Sequence, residues 1–193
     1  MKNKILMILL FFVIMAAIPL GFLLLFHPQN TSKPSSPQKI DLASADEAAI
    51  TAAMSLCSED FDEETIKAIT ILQRTNKFAG ELEDGKTADN SDSELYKRVK
   101  DAYYSNKELL IYENEPRALP CSKCSNGATE ATEKYDYLRG VASPWDCLSA
   151  DYESNAGCYG VSLNGLRYLC EQGLSAEEAL LWYLPGFTIK TIE

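Results

Sequence analysis

The sequence predicts an α+β protein: a mostly helical single domain with a few short strands, preceded by one transmembrane helix. Three observations lead there. Apolar residues recur at helical spacing in most segments after residue 40. Runs of strand character are few and short beside the helices, an α+β pattern. Before them stands an uninterrupted apolar stretch from Ile5 to Phe26.

That stretch sets the first element. At about 1.5 Å rise per residue it reaches roughly 33 Å, enough for a hydrocarbon core of about 30 Å. A cleaved signal peptide would have an apolar core of about 7–15 residues and a small-x-small cleavage site. This run is longer, and no good cleavage site follows it. Pro19 and Gly21 are tolerable in a membrane helix. Lys2 and Lys4 hold the N-terminus on the cytoplasmic side, so residues 40–193 are expected outside the cell membrane. His27 to Lys39, rich in Pro, Ser, Gln, Asn and Thr, reads as a solvated linker.

The outer domain follows in order. Asp41 to Leu56 has helical spacing through Ala45, Ala48, Ala49, Ala52, Ala53 and Leu56, with Ser44 as the expected N-cap. Asp60 and Glu63 have capping-box spacing ahead of a helix to about Phe78, whose Ile66, Ile69, Thr70 and Leu72 face the core. Gly80 to Ser91 is an acidic surface loop. Asp92 or Ser93 caps a third helix through Leu95, Val99, Ala102 and Tyr103. Glu108 to Tyr112 reads as a strand, and Glu115 to Leu119 pairs with it across a turn at Asn114. Cys121 to Gly127 is a loop. Thr129 to Leu138 is ambiguous and is assigned helix. Ser143 to Gly157 is irregular. Ser162 caps a helix to Gln172, ended by Gly173 at C′. Ser175 and Glu178 form a capping box for the last helix, which Pro185 and Gly186 terminate. Phe187 to Ile192 is a terminal strand.

The whole chain carries a net charge of −10. Lys2 and Lys4 are the only charged residues before the linker, so the remainder sets 16 basic against 28 acidic side chains, a net −12. Such a domain lacks the basic face of a nucleic-acid binder and would be repelled by anionic lipid. All six cysteines lie in it: Cys57, Cys121, Cys124, Cys147, Cys158 and Cys170. An even number outside the membrane permits disulfides, with connectivity open. Cys121 and Cys124 also have metal-ligand spacing, but a tetrahedral zinc site needs two more ligands. The only histidine, His27, stands at the membrane border, so nucleophilic catalysis by a His–Ser or His–Cys pair is excluded in the domain.

Several segments together resemble the stage II sporulation protein D family. Tyr137-Leu-Arg-Gly-Val-Ala-Ser-Pro-Trp-Asp146 carries most of the resemblance. Thr65 to Thr75 is similar to a family helix of the form A-L-K-A-Q-A-V-A-A-R-T, matching at Lys67, Ala68, Arg74 and Thr75. Tyr96 to Ala102 with Leu109 to Tyr112 matches a helix before a strand. Cys124-Ser-Asn-Gly127 with Thr129-Glu130 matches a small-residue loop. Tyr159-Gly-Val-Ser-Leu-Asn-Gly165 and Trp182-Tyr-Leu-Pro-Gly186 match the tail. The resemblance implies action on peptidoglycan outside the cytoplasmic membrane, as lytic transglycosylase or amidase enhancer, in sporulation. It also implies a zinc ion near the small-residue loop in some relatives, hence the zinc reading of Cys121 and Cys124.

The departures bear on chemistry. Active relatives place a Glu in an E-M-P triplet before the A-L-K-A helix; here that position falls at Leu56. Gly157 and Leu163 stand at the positions of a His and a Gln in the relatives' tail motif. Lytic transglycosylation needs one carboxyl that protonates the glycosidic oxygen and then acts as base. Leu56 cannot transfer a proton, and loss of a general acid costs about 10²–10⁴ in rate. Glu59 and Asp60 are the substitutes nearest in sequence, although a surface role for Glu59 and a capping role for Asp60 are the simpler reading.

Candidate substrate-binding residues are Arg74, Trp145, Tyr159 and Ser162. Trp145, Tyr152, Tyr159, Trp182 and Tyr183 could line a glycan groove, with Trp182 read as core beside Leu180, Leu181 and Leu184. Arg74 and Arg139 either meet anionic wall groups or tie helices to loops. Asp146 is expected to hold Ser143 and nearby amides in a turn. The favoured function is a membrane-anchored domain that binds or helps remodel peptidoglycan, with glycan strands or wall-remodelling proteins as partners and no catalysis. The alternatives are a divergent lytic transglycosylase using Glu59 or Asp60, and a disulfide-stabilised structural module for an unrelated partner.

Overall fold

The computed structural model describes residues 42–82, 93–150, 152 and 157–192, all within the unit Ile40–Glu193. The apolar run Ile5–Phe26, the linker and most of the Gly80–Ser91 loop lie outside the described residues. Among the described residues no helix is long and apolar enough to cross a membrane. The fold is α+β. Its elements are α1 (Leu42–Met54), α2 (Glu63–Phe78), α3 (Glu94–Ser105), β1 (Glu108–Tyr112), β2 (Glu115–Pro116), β3 (Cys121–Ser122), a 3₁₀ turn (Pro144–Leu148), β4 (Val161–Ser162), α4 (Leu163–Glu171), α5 (Ala176–Tyr183) and β5 (Thr188–Thr191).

Helix α2 is the centre of the domain. It packs against α1, α3, α4, α5 and β1, so its whole circumference is covered from Ala68 to Asn76. Ile66, Ile69 and Leu72 join Ile50, Val99, Leu110, Leu166 and Leu180 in the core. Each such side chain contributes about 1.5–3 kcal/mol on burial. The polar residues of α2 that sink with them find partners. Thr75 Oγ1 donates to Ile71 O at 2.8 Å and accepts from Leu110 N at 3.0 Å. Asn76 pairs with the Leu119 backbone in both directions, at 3.0 and 2.7 Å. These bonds offset the desolvation of amide and hydroxyl groups.

The helix ends show which local signals prevailed. Asp62, not Asp60, caps α2 by accepting from Thr65 N, because the chain makes a further turn at Ser58–Phe61 before the helix begins. Helix α1 already runs at Leu42, so Ser44 lies inside it and is not its N-cap. Ser93 caps α3, Ser162 caps α4, and Ser175 with Glu178 completes the capping box of α5. Gly173, at φ 95°, takes the left-handed position after α4.

Two small sheets complete the fold. The first has the order β2-β1-β5, all antiparallel, with Leu110 opposite Ile189. Its hairpin turns through Glu113 and Asn114, both at positive φ, which matches the strand twist. The second pairs β3 with β4 in parallel, Cys121 opposite Val161 and Ser122 opposite Ser162.

Thr129 to Leu138 is not a helix. Glu130 N bonds to Cys158 O at 2.7 Å and Thr129 N to Val141 O at 2.8 Å, so the backbone is spent on non-local partners. Thr129 Oγ1 and Thr132 Oγ1 take further amides, Val141 N and Lys134 N. Hydroxyls that bond nearby backbone compete directly with helical pairing.

Candidate functional site

Three of the segments singled out in the sequence meet at one buried carboxylate. Asp146, 1% exposed, sits in the 3₁₀ turn. Its Oδ2 accepts from Ser125 N at 3.0 Å, from Ser125 Oγ and from Ser143 Oγ at 2.9 Å. Its Oδ1 accepts from Ser162 Oγ at 3.0 Å. The loop of Cys124–Gly127, the stretch ending at Asp146 and the start of α4 are thereby fastened together. A relay extends the cluster outward. Trp145 Nε1 donates to the Tyr183 hydroxyl at 3.0 Å, and Tyr183 and Ser143 hydroxyls lie 2.6 Å apart. Burial pushes the Tyr183 phenol well up, so it stays protonated and available to donate.

Ser162 is therefore a cap and an Asp146 partner, fully buried and turned away from solvent. Arg74 is also internal: its guanidinium bonds Tyr103 O, lies 3.4 Å from Glu108 O and stacks 3.9 Å over the Tyr103 ring. It ties α2 to α3 and β1. Trp145 is half-buried, with its indole stacked on Tyr168 at 5.5 Å and tilted against Trp182 at 5.4 Å. Trp182 is 45% exposed rather than core, because Leu180, Tyr183 and Leu184 take the inner side of α5. Its indole N–H is held by Ala142 O at 3.0 Å. Tyr159 is exposed beside the bridge to Glu130.

The loop before α2 carries no poised acid. Leu56 packs against the core, and Glu59 is exposed. Asp60 is exposed too and pairs with Arg167 at 2.9 Å. A hydrogen bond from Ser58, then Arg167, holds the Asp60 carboxyl below its usual range, the reverse of what a proton donor needs. Arg98 grips this loop from α3, donating to Glu59 O at 3.0 Å, Phe61 O at 2.5 Å and the Glu63 carboxylate at 2.8 Å.

The six cysteines are carried as thiols, not disulfides. Cys124 is buried with its sulfur 3.4 Å from Ser125 O and 3.6 Å from Asp146 O. Burial pushes the Cys121 and Cys158 thiols up to about 11. Among the described residues no group of three or more His, Cys, Asp or Glu converges to hold a metal ion. A tetrahedral zinc site at Cys121 and Cys124 would need two further ligands.

A concave site of another kind lies where α2, α3 and the start of β1 meet. This cleft of about 700 Å³ is lined by Glu63, Lys67, Arg98, Asn106, Glu108 and Thr191, among others. Lys67 is ion-paired with Glu177 of α5 and lies 4.0 Å from Glu108 Oε2. Burial, reinforced by the neighbouring Glu177, raises the Glu108 carboxyl above its ordinary range, and Lys67 only partly opposes this. Burial works against ionised Glu177 as well, but hydrogen bonds from Lys67 and Glu108 outweigh it and bring it to about 2. Asn106 Oδ1 accepts from Glu108 N at 2.8 Å. Nothing in the sequence marked Asn106, Glu108 or Glu177 as a group, since the three meet only through long-range packing.

Compared with known proteins, the chain matches no protein-family model and no curated protein.

Proposed function

We propose that this chain is a membrane-anchored, catalytically silent relative of the stage II sporulation protein D proteins. In this reading residues 5–26 span the cell membrane, 27–39 are a spacer, and 40–193 lie outside, where they bind peptidoglycan or a wall-remodelling partner. The observation that carries it is the convergence on Asp146. The small-residue loop, the Tyr137–Asp146 stretch and the tail segment are far apart in sequence, yet Ser125, Ser143 and Ser162 all donate to that one carboxylate. Segments that share a buried polar network are constrained together, which supports reading the three as one unit. The silent character rests on Leu56, half-buried and packed against the core, and on Asp60, whose carboxyl Ser58 and Arg167 hold below its usual range.

The test is digestion and retention on purified peptidoglycan. The full chain should be retained on sacculi and release no anhydro-muropeptides. Product that disappears in Glu59→Gln or Asp60→Asn would identify a divergent transglycosylase instead. Lack of retention would point to a structural module serving another partner.

A further inference from the structure

Cys124 and Cys147 come together where the small-residue loop meets the 3₁₀ turn. The Cys124 sulfur lies 3.6 Å from Asp146 O, the carbonyl of the peptide group that leads into Cys147. From the other side, the Cys147 sulfur would stand 3.3 Å from a Cβ on Gly127, so it rests over the end of the loop that Cys124 begins. Backbone donors hold the two segments in place: Ser125 N reaches Asp146 Oδ2 at 3.0 Å, and Ser143 N reaches Gly127 O at 2.8 Å. Tyr152 senses both sulfurs. Its phenol is pushed above its ordinary value first by charge on Cys147, then by burial, a hydrogen bond with Cys147 and charge on Cys124. The Cα atoms of a disulfide stand about 4.4–6.8 Å apart, a spacing that contact across one peptide group allows.

The two thiols differ in access. Cys147 is exposed, Cys124 is buried, and the other four cysteines are half-buried or buried. In thiol–disulfide exchange the attacking sulfur must reach its target, so an external disulfide meets Cys147 first. The neighbouring cysteines are engaged elsewhere. Cys158 is closed to solvent and hydrogen-bonded with Ser122, and Cys121 is held in β3 opposite Val161.

We propose that Cys124 and Cys147 are a redox-active pair, in which Cys147 takes up an external disulfide and Cys124 resolves it to an intramolecular bond. The co-reactant is a low-molecular-weight disulfide of the oxidised-glutathione class. The Cys147 thiolate attacks one of its sulfurs, the donor S–S bond breaks and one thiol leaves. The Cys124 sulfur gives up its proton and attacks Cys147, and the second thiol leaves. Two cysteine thiols lose two electrons and two protons to form one disulfide, and the donor takes up both as two thiols. The new bond fastens covalently the join that Ser125 and Asp146 make by hydrogen bonds. That the chain meets an oxidising compartment rests on the outward-facing reading of residues 40–193; the pairing itself does not.

The experiment uses the full chain in detergent, reduced, freed of reductant and incubated with oxidised glutathione. Remaining thiols are blocked with N-ethylmaleimide under denaturing conditions. Trypsin cuts after Lys123 and chymotrypsin after Tyr152, which separates Cys121 from Cys124 and Cys147 from Cys158 for mass spectrometry. A Cys124–Cys147 peptide is expected in most molecules. Cys124→Ser should stop at a glutathione adduct on Cys147, and Cys147→Ser should leave Cys124 alkylated. Oxidation should slow amide exchange at Ser125 and Gly127 about tenfold, and dithiothreitol should reverse it. An adduct that persists on Cys147 in the wild type, Cys124 joined instead to Cys121 or Cys158, or no reaction at all overturns the inference and leaves the wall reading untouched. Oxidation in the tube with both thiols trapped reduced in intact cells carrying the full chain leaves the pair standing and removes the outward placement.

Discussion

A Cβ placed on Gly165 would fall 1.9 Å from the Tyr183 hydroxyl oxygen. It would also lie 2.6 Å from both Ser143 Oγ and Trp145 Nε1. The first turn of α4 therefore leaves the space through which Trp145, Tyr183 and Ser143 reach one another. Gly165→Ala should destabilise the domain by roughly 1–3 kcal/mol. Urea denaturation, followed through the combined fluorescence of Trp145 and Trp182, measures it. An unchanged midpoint would show that the relay tolerates displacement.

Asp146 accepts from three serines and one backbone amide. Asp146→Asn would turn an amide NH₂ toward donors on at least one side, at a cost of roughly 2–3 kcal/mol. The loop Cys124–Gly127 should loosen with it. Faster amide exchange at Ser125 and Gly127 than in the wild type is the specific readout.

The Glu177 carboxyl, brought to about 2, is depressed relative to its ordinary 4.5. Its contribution to stability is present above 4.5 and is lost as pH falls from there toward 2. Glu108 is shifted upward, so its part has the opposite sign: it is present below the ordinary carboxyl range and is lost as pH rises through the folded value. Glu177→Gln should flatten the acid side of the stability profile, read as urea midpoints from pH 2 to 5. Lys67→Met should move the Glu177 titration upward, because it removes the cation that holds it ionised. A Glu177 titration unchanged in that variant would contradict the assignment.

Cys147 is exposed, whereas Cys158 and Cys170 are buried. Burial pushes Cys57 up to about 12 and Cys121, Cys158 and Cys170 up to about 11. The thiolate is the reactive form, so at pH 8 those four should resist alkylation in the folded protein. Iodoacetamide under reducing conditions should label Cys147 well before them, with mass spectrometry locating the adducts. Early labelling of Cys121 or Cys158 would show that the β3–β4 region opens readily.

The sequence by itself determined what depends on neighbours along the chain. The Ser175–Glu178 box, the Ser162 and Ser93 caps, Gly173 at the end of α4 and the Asn114 turn are set by a few adjacent residues, and the structure has them all. The α+β class follows from the same short-range periodicities. Tertiary structure decided whatever needed a partner from elsewhere. Asp62 caps α2 in place of Asp60, whose carboxylate is drawn to Arg167. Thr129 to Leu138 gives up helical pairing for Cys158 and Val141. Arg74 turns inward to the Tyr103 carbonyl, and Trp182 outward. The meeting of Lys67 with Glu177, and of Asn106 with Glu108 in a shared cleft, arises only when α2 is enclosed by its neighbours. Caps and turns are satisfied over three or four residues of chain, but a desolvated charge or amide takes the partner that packing brings to it, and no local spacing encodes which one that is.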